Sequence, residues 1–352
     1  MLRLLPIALF LLAALPARAD TVADFYKGKS LQFVIRSTPG TGYDQYGRLL
    51  ARHIGRHIPG NPNVVPVNMP GGGGIVAANY VGAVAPKDGS VLTLVSQGLP
   101  MDQAMQMSPA LKVDLRQFNW LGNMSNSNQL LVTWKNSPTK TLEDAKRRET
   151  TIGSSGAGSV SVQLPAICNN LLGTRFKIIF GYPGGAEIDL AMERGELDGR
   201  GSNPYASYVS STPYIRDHSL NILVQLGVAK DPALPEVPLL RDLGKSAADR
   251  AVLDFFSKAV AVGRPIATTP GVPADRVAAL RQAFDATLTD PEFVRDAEKE
   301  KAEIRGMTGL ELARIVSDLI DAPQEIRAMA KVAMDPKSAA QEIAGGAKSG
   351  GD

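Results

Sequence analysis

The sequence contains PGTG at residues 39–42, PGGGG at 70–74, GSSGAGS at 153–159 and YPGG at 182–185. Each of these glycine-rich segments follows a short apolar run and precedes a stretch whose apolar residues have helical spacing. A glycine-rich loop at the start of a helix exposes backbone N–H groups, and the helix dipole adds partial positive charge there. Two such loops in each half of the chain therefore predict a cleft that holds an anion by its backbone.

Strands and helices alternate around these loops. The predicted strands are apolar runs at 31–35, 64–67, 91–95, 130–134, 151–152, 177–180 and 221–226. The predicted helices cover 43–57, 142–148, 160–172, 186–194 and 274–287. This alternation predicts an α/β protein with parallel sheets whose faces are covered by helices. Loops at the carboxyl ends of the strands then face one another across a cleft, which is the expected binding site.

The N-terminus has the pattern of an export signal. Arg3 precedes an apolar run of about a dozen residues, and Ala17-Arg18-Ala19 fits a cleavage site, so we expect cleavage after Ala19. The alternative, a membrane anchor, needs about 20 apolar residues. Removal of 1–19 takes away two arginines and no acidic residue, so the net charge falls from +3 to +1. This balance gives no reason to expect nucleic acid or an anionic membrane surface as a partner.

Chain length and the few cysteines and histidines narrow the classes of protein that remain. About 333 mature residues exceed the size at which single cores stop growing, so we expect two lobes. Lone Cys168 has no disulfide partner and is expected to be buried, with a catalytic thiol as the alternative. His53 and His57 are spaced as metal ligands on a helix, but no third ligand is evident nearby. We therefore expect neither a metal nor a cofactor.

The glycine loops match no nucleotide-binding or catalytic motif. None continues as Gly-Lys-Ser/Thr, and no G-x-G-x-x-G follows a strand with an acidic residue about 20 positions later. A hydrolase that uses Ser155 is the enzymatic alternative. Against it, the sequence has no G-x-S-x-G elbow, and its three histidines leave little scope for a catalytic triad. The sequence therefore predicts a binding protein and not an enzyme.

Taken in order, the motifs resemble the tripartite tricarboxylate transporter substrate-binding proteins (TctC/Bug family). They are PGTGYD at 39–44, PGGGG at 70–74, APKDG at 85–89, GYPGG at 181–185 and RGELDG at 194–199. The likeness covers 24–330 and implies a periplasmic, type II-like Venus flytrap with a cleft between two lobes. It implies one lobe of 24–125 plus 235–343 and another of 126–234, while the Gly/Ser/Lys-rich tail at 344–352 is expected to be disordered.

The resemblance also implies a function and a set of contacts. Such a receptor captures a small carboxylate and delivers it to a membrane permease, and we expect it to be a monomer. The implied first-lobe contacts are Gly40, Thr41, Tyr43, Asp44, Gly72, Gly73 and Gly74. The implied second-lobe contacts are Ser154, Ser155, Gly156, Gly158, Ser159 and Tyr182. Tight turns with positive φ are the alternative for the glycines, and stabilisation of a helix start is the alternative for Asp44 and Ser159.

Two arginines extend this set. Arg36 precedes the first loop and departs from the family pattern, because it adds a full charge near the site. Arg200 ends a predicted strand, where its guanidinium fits bidentate pairing with a carboxylate. The alternatives are a solvated side chain for Arg36 and an ion pair within the protein for Arg200. Transport and ligand sensing for a membrane kinase share this cleft, so the sequence leaves both open, together with the identity of the carboxylate, aliphatic or aromatic.

Overall fold

The computed structural model describes residues 21–37, 39–154, 160–179, 181–182 and 185–336. The predicted export signal at 1–19 and the predicted tail at 344–352 therefore lie outside the described residues. The same holds for four predicted ligand contacts, which are Ser155, Gly156, Gly158 and Ser159.

The described residues form two sheets. The strands are β1 (Ser30–Ile35), β2 (Asn63–Asn68), β3 (Val91–Leu94), β4 (Asn119–Asn123), β5 (Gln129–Trp134), β6 (Thr150–Gly153), β7 (Phe176–Ile179), β8 (Gly199–Pro204), β9 (Leu220–Leu226), β10 (Pro265–Thr268) and β11 (Met307–Thr308). The first sheet has the order β11-β4-β10-β3-β1-β2, and the second has the order β7-β6-β8-β5-β9. The chain thus builds the second sheet between β4 and β10 of the first.

Helices cover the sheets. They are α1 (Val22–Tyr26), α2 (Gly42–Ile54), α3 (Ile75–Asn79), α4 (Leu99–Met105), α5 (Leu142–Arg147), α6 (Val160–Ile167), α7 (Gly185–Glu193), α8 (Tyr205–Ser211), α9 (Ala247–Ala261), α10 (Ala274–Thr289), α11 (Pro291–Lys299), α12 (Gly309–Ile320) and α13 (Gln324–Ala333). Among the residues that the structure describes, none of these helices combines the length and apolar character needed to cross a membrane.

The prediction of purely parallel sheets is wrong, because both sheets are mixed. β1 is parallel to β2 and β3, but β10 runs antiparallel to β3 and β4. In the second sheet, β5 runs antiparallel to β8 and β9. The chain leaves the first sheet at Asn123 and returns beside it at Pro265, so β10 must run away from the point of crossing. β5 likewise runs away from the crossing, because its first residue, Gln129, pairs with Leu226 at the end of β9.

Helix α2 shows how local sequence signals produce the fold. Thr41 caps its start by accepting the Asp44 backbone N–H at 3.4 Å. The apolar positions predicted for its buried face, Tyr46, Leu49, Leu50 and Ile54, are all buried. They join a core cluster that also contains residues of α10 and α11. The helix predicted at 43–57 is confirmed as α2 with a 3₁₀ turn at Gly55–His57.

The second pair of glycine-rich loops also precedes helices. The helix predicted at 160–172 is confirmed as α6 followed by a π-turn at Cys168–Leu172. Cys168 is buried at the start of that turn, as expected from the sequence. Burial raises the pKa of its thiol to about 12, so the reactive thiolate does not form at neutral pH.

The two helical histidines pair with aspartates. His53 Nε2 lies 3.0 Å from Asp296 Oδ2, and His57 Nε2 lies 2.8 Å from Asp290 Oδ2. These contacts tie the end of α2 to the region of α11. Within 21–336, excluding the undescribed positions, no group of histidine, cysteine, aspartate and glutamate side chains is arranged to hold a metal ion.

Candidate ligand-binding cleft

A cleft lies between the two sheets, at the carboxyl ends of most of their strands. It consists of two cavities of about 280 and 230 Å³. Both cavities are lined by Gln97, which follows β3, and by Gln129 and Pro204, which begin β5 and end β8. Because these three residues are shared, the cavities are two ends of one elongated cleft.

A larger cavity, of about 740 Å³, lies between α4 and the junction of α12 and α13. Its charged lining residues are Asp102, Arg116, Asp321 and Arg327. Arg116 Nη1 pairs with Asp321 Oδ1 at 2.7 Å, so acidic and basic side chains offset one another there. None of the residues predicted to bind ligand lines this cavity. Of the predicted contacts that the structure describes, Arg200 lines the interlobe cleft, so we assign the candidate site to that cleft.

One end of the cleft is cationic, and we call it the Arg264 end. The described residues that line it are Gly42, Gln45, Tyr46, Gln97, Ser125, Ser127, Gln129, Pro204, Ala206, Ser207, Gly263, Arg264 and Lys301. Arg264 and Lys301 each bring a positive charge, and no aspartate or glutamate is among these lining residues. The remaining polar groups are hydroxyls and amides, so the charge of this end favours an anion.

The other end, which we call the Arg200 end, is lined by residues of α6, α7 and β8. Arg200 Nη1 contacts both carboxylate oxygens of Asp189, at 2.9 and 3.0 Å. Its Nη2 donates to Asn203 Oδ1 at 3.0 Å, and its Nε donates to the Ser202 carbonyl oxygen at 3.2 Å. The alternative anticipated from the sequence, an ion pair within the protein, is the arrangement seen. Burial raises the pKa of Asp189, and Arg200 opposes that rise.

Side-chain amides between the two ends present N–H groups to the cleft. The Ser202 hydroxyl donates to Gln129 Oε1 at 2.7 Å, and Arg200 donates to Asn203 Oδ1. Both amide oxygens are therefore engaged within the protein. No hydrogen bond to a described residue involves Gln129 Nε2 or Asn203 Nδ2, and both residues line the cleft. An amide whose oxygen is engaged and whose N–H₂ group remains is a donor to an anion.

Tyr43 lies at the centre of the positive charge near α2. The guanidinium carbons of Arg36 and Arg264 lie 3.7 and 4.4 Å from the centroid of its ring. Its hydroxyl accepts the backbone N–H of Gln97 at 3.2 Å. Burial opposes ionisation of this phenol, but Arg36, Arg264 and the hydrogen bond from Gln97 hold the pKa of Tyr43 below its ordinary value. The shift reports a positive potential at the start of α2.

The first predicted loop is held by Asp44. Asp44 Oδ2 accepts the Gly40 backbone N–H at 2.8 Å, and its Oδ1 accepts from Arg48 Nε at 2.9 Å and Asn68 Nδ2 at 2.8 Å. Burial raises the pKa of Asp44, but these hydrogen bonds more than offset it and lower the pKa overall. Asp44 therefore positions the loop, and Thr41 caps the helix that follows.

The second predicted loop forms a 3₁₀ turn at Gly72–Gly74. Gly74 has a φ of +107°, and a Cβ placed there would lie 2.9 Å from Ser96 Cβ and 3.1 Å from Arg36 Cδ. The turn thus packs against the side chain that precedes the first loop. The turn at Gly72–Gly74 and the ring of Tyr43 at the start of α2 both lie beside Arg36. Gly73 lies inside the turn.

In the second sheet, Ser154 is fully buried at the end of β6. Its hydroxyl lies 2.8 Å from that of Ser161, and Ser161 lines the Arg200 end. Tyr182 packs against a small apolar cluster built mainly by α7, which includes Ile188 and Met192. The remaining predicted contacts of this loop lie outside the described residues.

The sequence reasoning missed the amides and the second arginine of the cleft. Gln97, Gln129 and Arg264 lie in no glycine-rich motif: Gln97 follows the end of β3 by three residues, Gln129 begins β5 and Arg264 directly precedes β10. Arg264 had a detectable signal, because it stands between Gly263 and Pro265 in a region predicted to be mainly helical. The short strand β10 was not predicted, so nothing indicated that Arg264 lies at the cleft.

Known families and solved structures resemble this chain. A family model described as the tripartite tricarboxylate transporter family receptor (TctC) matches residues 48–330. A search of curated proteins found no match. Among solved structures, a TctC solute-binding protein from Polaromonas, without ligand, is 18% identical, with a TM-score of 0.66 over 88% of this chain and 99% of that chain.

Two further solved structures carry ligands. MatC from Rhodopseudomonas palustris with bound malate is 21% identical, with a TM-score of 0.61 over 85% of this chain and 99% of that chain. An R. palustris protein with adipate is 19% identical, with a TM-score of 0.61 over 86% and 98% of the two chains. At such identities these structures show the two-lobed fold alone. The family model covers most of the chain, so this protein belongs to the tripartite tricarboxylate transporter family of receptors (TctC), as its ordered motifs indicated.

Proposed function

We propose that this receptor captures a small carboxylate in the cleft between its sheets and delivers it to a membrane permease. The observation that carries the proposal is the direction of the hydrogen bonds in the cleft. The amide oxygens of Gln129 and Asn203, which would repel an anion, are engaged by Ser202 and Arg200. Their N–H₂ groups remain, and a carboxylate offers the acceptors that such donors need.

The family and its solved structures support the same ligand class. The receptors that resemble this chain in fold include one with bound malate and one with adipate, and both ligands are carboxylates. We infer that the ligand lies along the elongated cleft, with the glycine-rich loops approaching it from both sheets. Gly40, Thr41, Gly72, Gly73 and Gly74 are the candidates on one side, and Ser154, Ser155, Gly156, Gly158, Ser159 and Tyr182 are those on the other.

Ligand capture is proposed to occur by closure of the two lobes. One lobe comprises 24–125 plus 235–343, and the other comprises 126–234. The chain crosses between the sheets in the short segment from Asn123 to Gln129 and returns at Pro265. A carboxylate that contacts both sides of the cleft binds the closed form more tightly, so it shifts the open–closed equilibrium towards closure.

We also propose the cellular context of this binding. The precursor is cleaved after Ala19, and the mature protein acts in the periplasm as a monomer that binds without chemical turnover. The apolar run that follows Arg3 supports export. The near-zero net charge of the mature chain supports a small-molecule ligand, since it offers no general attraction for nucleic acid.

A thermal-shift and calorimetric screen tests the proposal. The mature protein is unfolded and refolded to remove retained ligand, and is then titrated with malate, adipate, benzoate and the corresponding amides. A ligand present well above its Kd raises the melting temperature by mass action. We expect at least one carboxylate to bind, its amide to bind more weakly, and the ligand to be recovered unchanged.

The Gln129→Ala variant locates the binding. Loss of a donor to a charged acceptor should weaken carboxylate affinity roughly tenfold to hundredfold. Gln117→Ala is the matched control, because Gln117 is exposed and stands before the end of β4 that lies away from the cleft. If the wild-type protein binds a carboxylate and both variants bind it with equal affinity, the ligand does not occupy this cleft. No binding of any acid by folded protein would overturn the proposed ligand class.

A further inference from the structure

We propose that Arg264 is the residue that determines specificity for the carboxylate group, by holding one ligand carboxylate with its guanidinium. The assignment rests on the proposed function and deepens it, since it states which end of the cleft requires charge. Arg200, at the opposite end, contributes no free charge. The Arg264 end then binds a carboxylate of the ligand, and the Arg200 end binds an uncharged hydrogen-bonding group of the same ligand.

The backbone of Arg264 is fixed at the point where the chain returns to the first sheet. Its N–H donates to the Ser125 carbonyl oxygen and to Asn123 Oδ1, both at 3.0 Å. Its carbonyl oxygen accepts the Met124 N–H at 3.1 Å. These bonds join Arg264 to the segment that leaves for the second sheet. The side chain therefore extends from a rigid part of the cleft, which lowers the entropy lost on binding.

Two aromatic rings orient the guanidinium. Its carbon lies 4.4 Å from the centroid of Tyr43 and 5.1 Å from that of Tyr46. A cation–π contact satisfies none of the five N–H donors of the guanidinium, so these donors remain for bidentate bonding to a carboxylate. A Cβ at Gly42 would lie 3.4 Å from Arg264 Nη2, so the guanidinium lies beside the first residue of α2.

The charge of Arg264 has no acidic partner among the described residues. No hydrogen bond or ion pair joins its guanidinium to them, whereas Arg200 contacts Asp189 twice. Lys301, which lines the same end, also makes no ion pair with the described part of the chain. Arg36 adds a further positive charge beside the same tyrosine ring. Arg264 and Lys301 lie close together without an acidic partner among the described residues, which is unfavourable, and a bound anion relieves that cost.

The chemistry of the two ends differs in a way that predicts ligand preference. A carboxylate at the Arg264 end receives charge-assisted hydrogen bonds, which are about twice as strong as neutral ones. At the Arg200 end, the donor Asn203 is neutral and the arginine is already compensated. Replacing one carboxylate of a dicarboxylate by an amide should therefore cost little, because the remaining carboxylate takes the Arg264 end. Replacing both should remove most of the affinity.

The closing experiment observes the side chain directly. The Arg264 Nε–H resonance is assigned in ¹H–¹⁵N spectra by its absence from Arg264→Lys, and is followed during titration with acetate, malate and adipate. We expect a saturable shift of this resonance. In calorimetry, Arg264→Gln should weaken the best of these acids roughly hundredfold, and Arg264→Lys less, since lysine keeps the charge but not the planar fork. Arg147→Gln, a 70% exposed arginine on α5, is the charge-matched control and should not differ from wild type.

The outcomes separate this inference from the proposed function. Shifts confined to other resonances, with Arg264→Gln binding as well as wild type, would overturn the role of Arg264 and leave the receptor function standing. No shift in any resonance with all three acids would overturn both. A monoamide of adipate that binds as weakly as adipamide would contradict the assignment of one charged and one uncharged end.

Discussion

The two arginines that line the cleft differ in whether a carboxylate of the protein pairs with them. Arg200 is bonded to Asp189, Asn203 and the Ser202 carbonyl, and its side chain is 13% exposed. Arg264 lies on two tyrosine rings with no acidic partner among the described residues. The first completes the protein's own structure, and the second is available to a ligand. An arginine that lines a cleft is therefore informative about binding only when its partners are known.

The difference follows from where each arginine lies along the chain. Arg200 stands within β8, opposite α7, whose Asp189 faces it within one lobe. Arg264 stands at the return crossing between lobes, where neighbouring residues supply backbone carbonyls and aromatic faces. A charge compensated within one lobe stabilises that lobe. A charge left at the crossing is positioned to respond to a ligand that contacts both lobes.

The largest expected effect tests the compensated arginine. Arg200→Gln leaves Asp189 buried without its partner, which should lower the free energy of unfolding by about 3 kcal/mol at pH 7. Burial already raises the pKa of Asp189, and loss of Arg200 raises it further. Protonation then removes the buried charge, so the deficit should shrink as the pH falls from 7 to 5. Urea unfolding at both pH values measures it.

A double-mutant cycle provides the control for this pair. Arg200→Gln combined with Asp189→Asn removes both charges, so the double variant should be more stable than Arg200→Gln alone, with a coupling of roughly 1–3 kcal/mol. Additive losses at every pH would mean that the two side chains do not compensate one another. Arg200 could then no longer be contrasted with Arg264 as the arginine whose charge is compensated.

A somewhat smaller effect is expected from the residue that positions Arg264. Gly263 has a φ of +56°, and a Cβ there would collide with the Ser125 carbonyl oxygen. Gly263→Ala should therefore cost about 2 kcal/mol of unfolding free energy and also weaken carboxylate binding, because Arg264 moves. Gly173→Ala is the matched control, since its φ of +77° is equally strained but nothing lies within 4 Å of its added Cβ. If the two variants bind the carboxylate with equal affinity, the backbone at Gly263 does not position Arg264 for ligand binding.

Much of the fold could be predicted because its signals are local. The apolar spacing of α2, the capping residue Thr41 and the glycine that ends β6 all lie within the elements they specify or directly beside them. Strand direction could not be predicted in the same way. It depends on where the chain crosses between sheets, and the four residues of β10 gave no periodic signal in a mostly helical region.

The candidate site was predictable only in part, for the same reason. Arg36 and Gly72–Gly74 were both predicted as ligand contacts, and Arg36 lies beside the turn that these glycines form. The availability of a side chain depends on partners distant in sequence, however. Asp189 neutralises Arg200, and Ser202 engages the oxygen of Gln129 across the second sheet. Such pairing has no signature in a single sequence, so Arg200 was a candidate while Arg264 was overlooked.

The uncompensated arginine should contribute little to stability. Arg264→Gln loses contacts with two aromatic rings, worth about 0.5–1 kcal/mol each at most, and also removes positive charge beside Arg36. These effects oppose one another, so the free energy of unfolding without ligand should change by less than about 1 kcal/mol. Chemical denaturation of the refolded protein measures this value. A loss as large as that of Arg200→Gln would show that Arg264 has a structural partner.

The smallest effect concerns an exposed arginine, Arg56, whose Nη2 pairs with Asp290 Oδ2 at 2.6 Å. Desolvation raises the pKa of Asp290, but the Glu292 N–H, His57 and Arg56 together hold it at about 2. A depressed pKa means that the carboxylate stabilises the fold above the ordinary pKa of aspartate, and that this contribution is lost as the pH falls towards 2.

Asp290→Asn isolates that charge, because asparagine keeps a side-chain oxygen to accept the Glu292 N–H at the start of α11. The variant should melt slightly below wild type at pH 7, and the difference should close between about pH 4 and pH 2 as the wild-type carboxylate protonates. Differential scanning calorimetry of both proteins across this range measures the gap. A gap that persists at pH 2 would assign the effect to packing and not to the charge of Asp290.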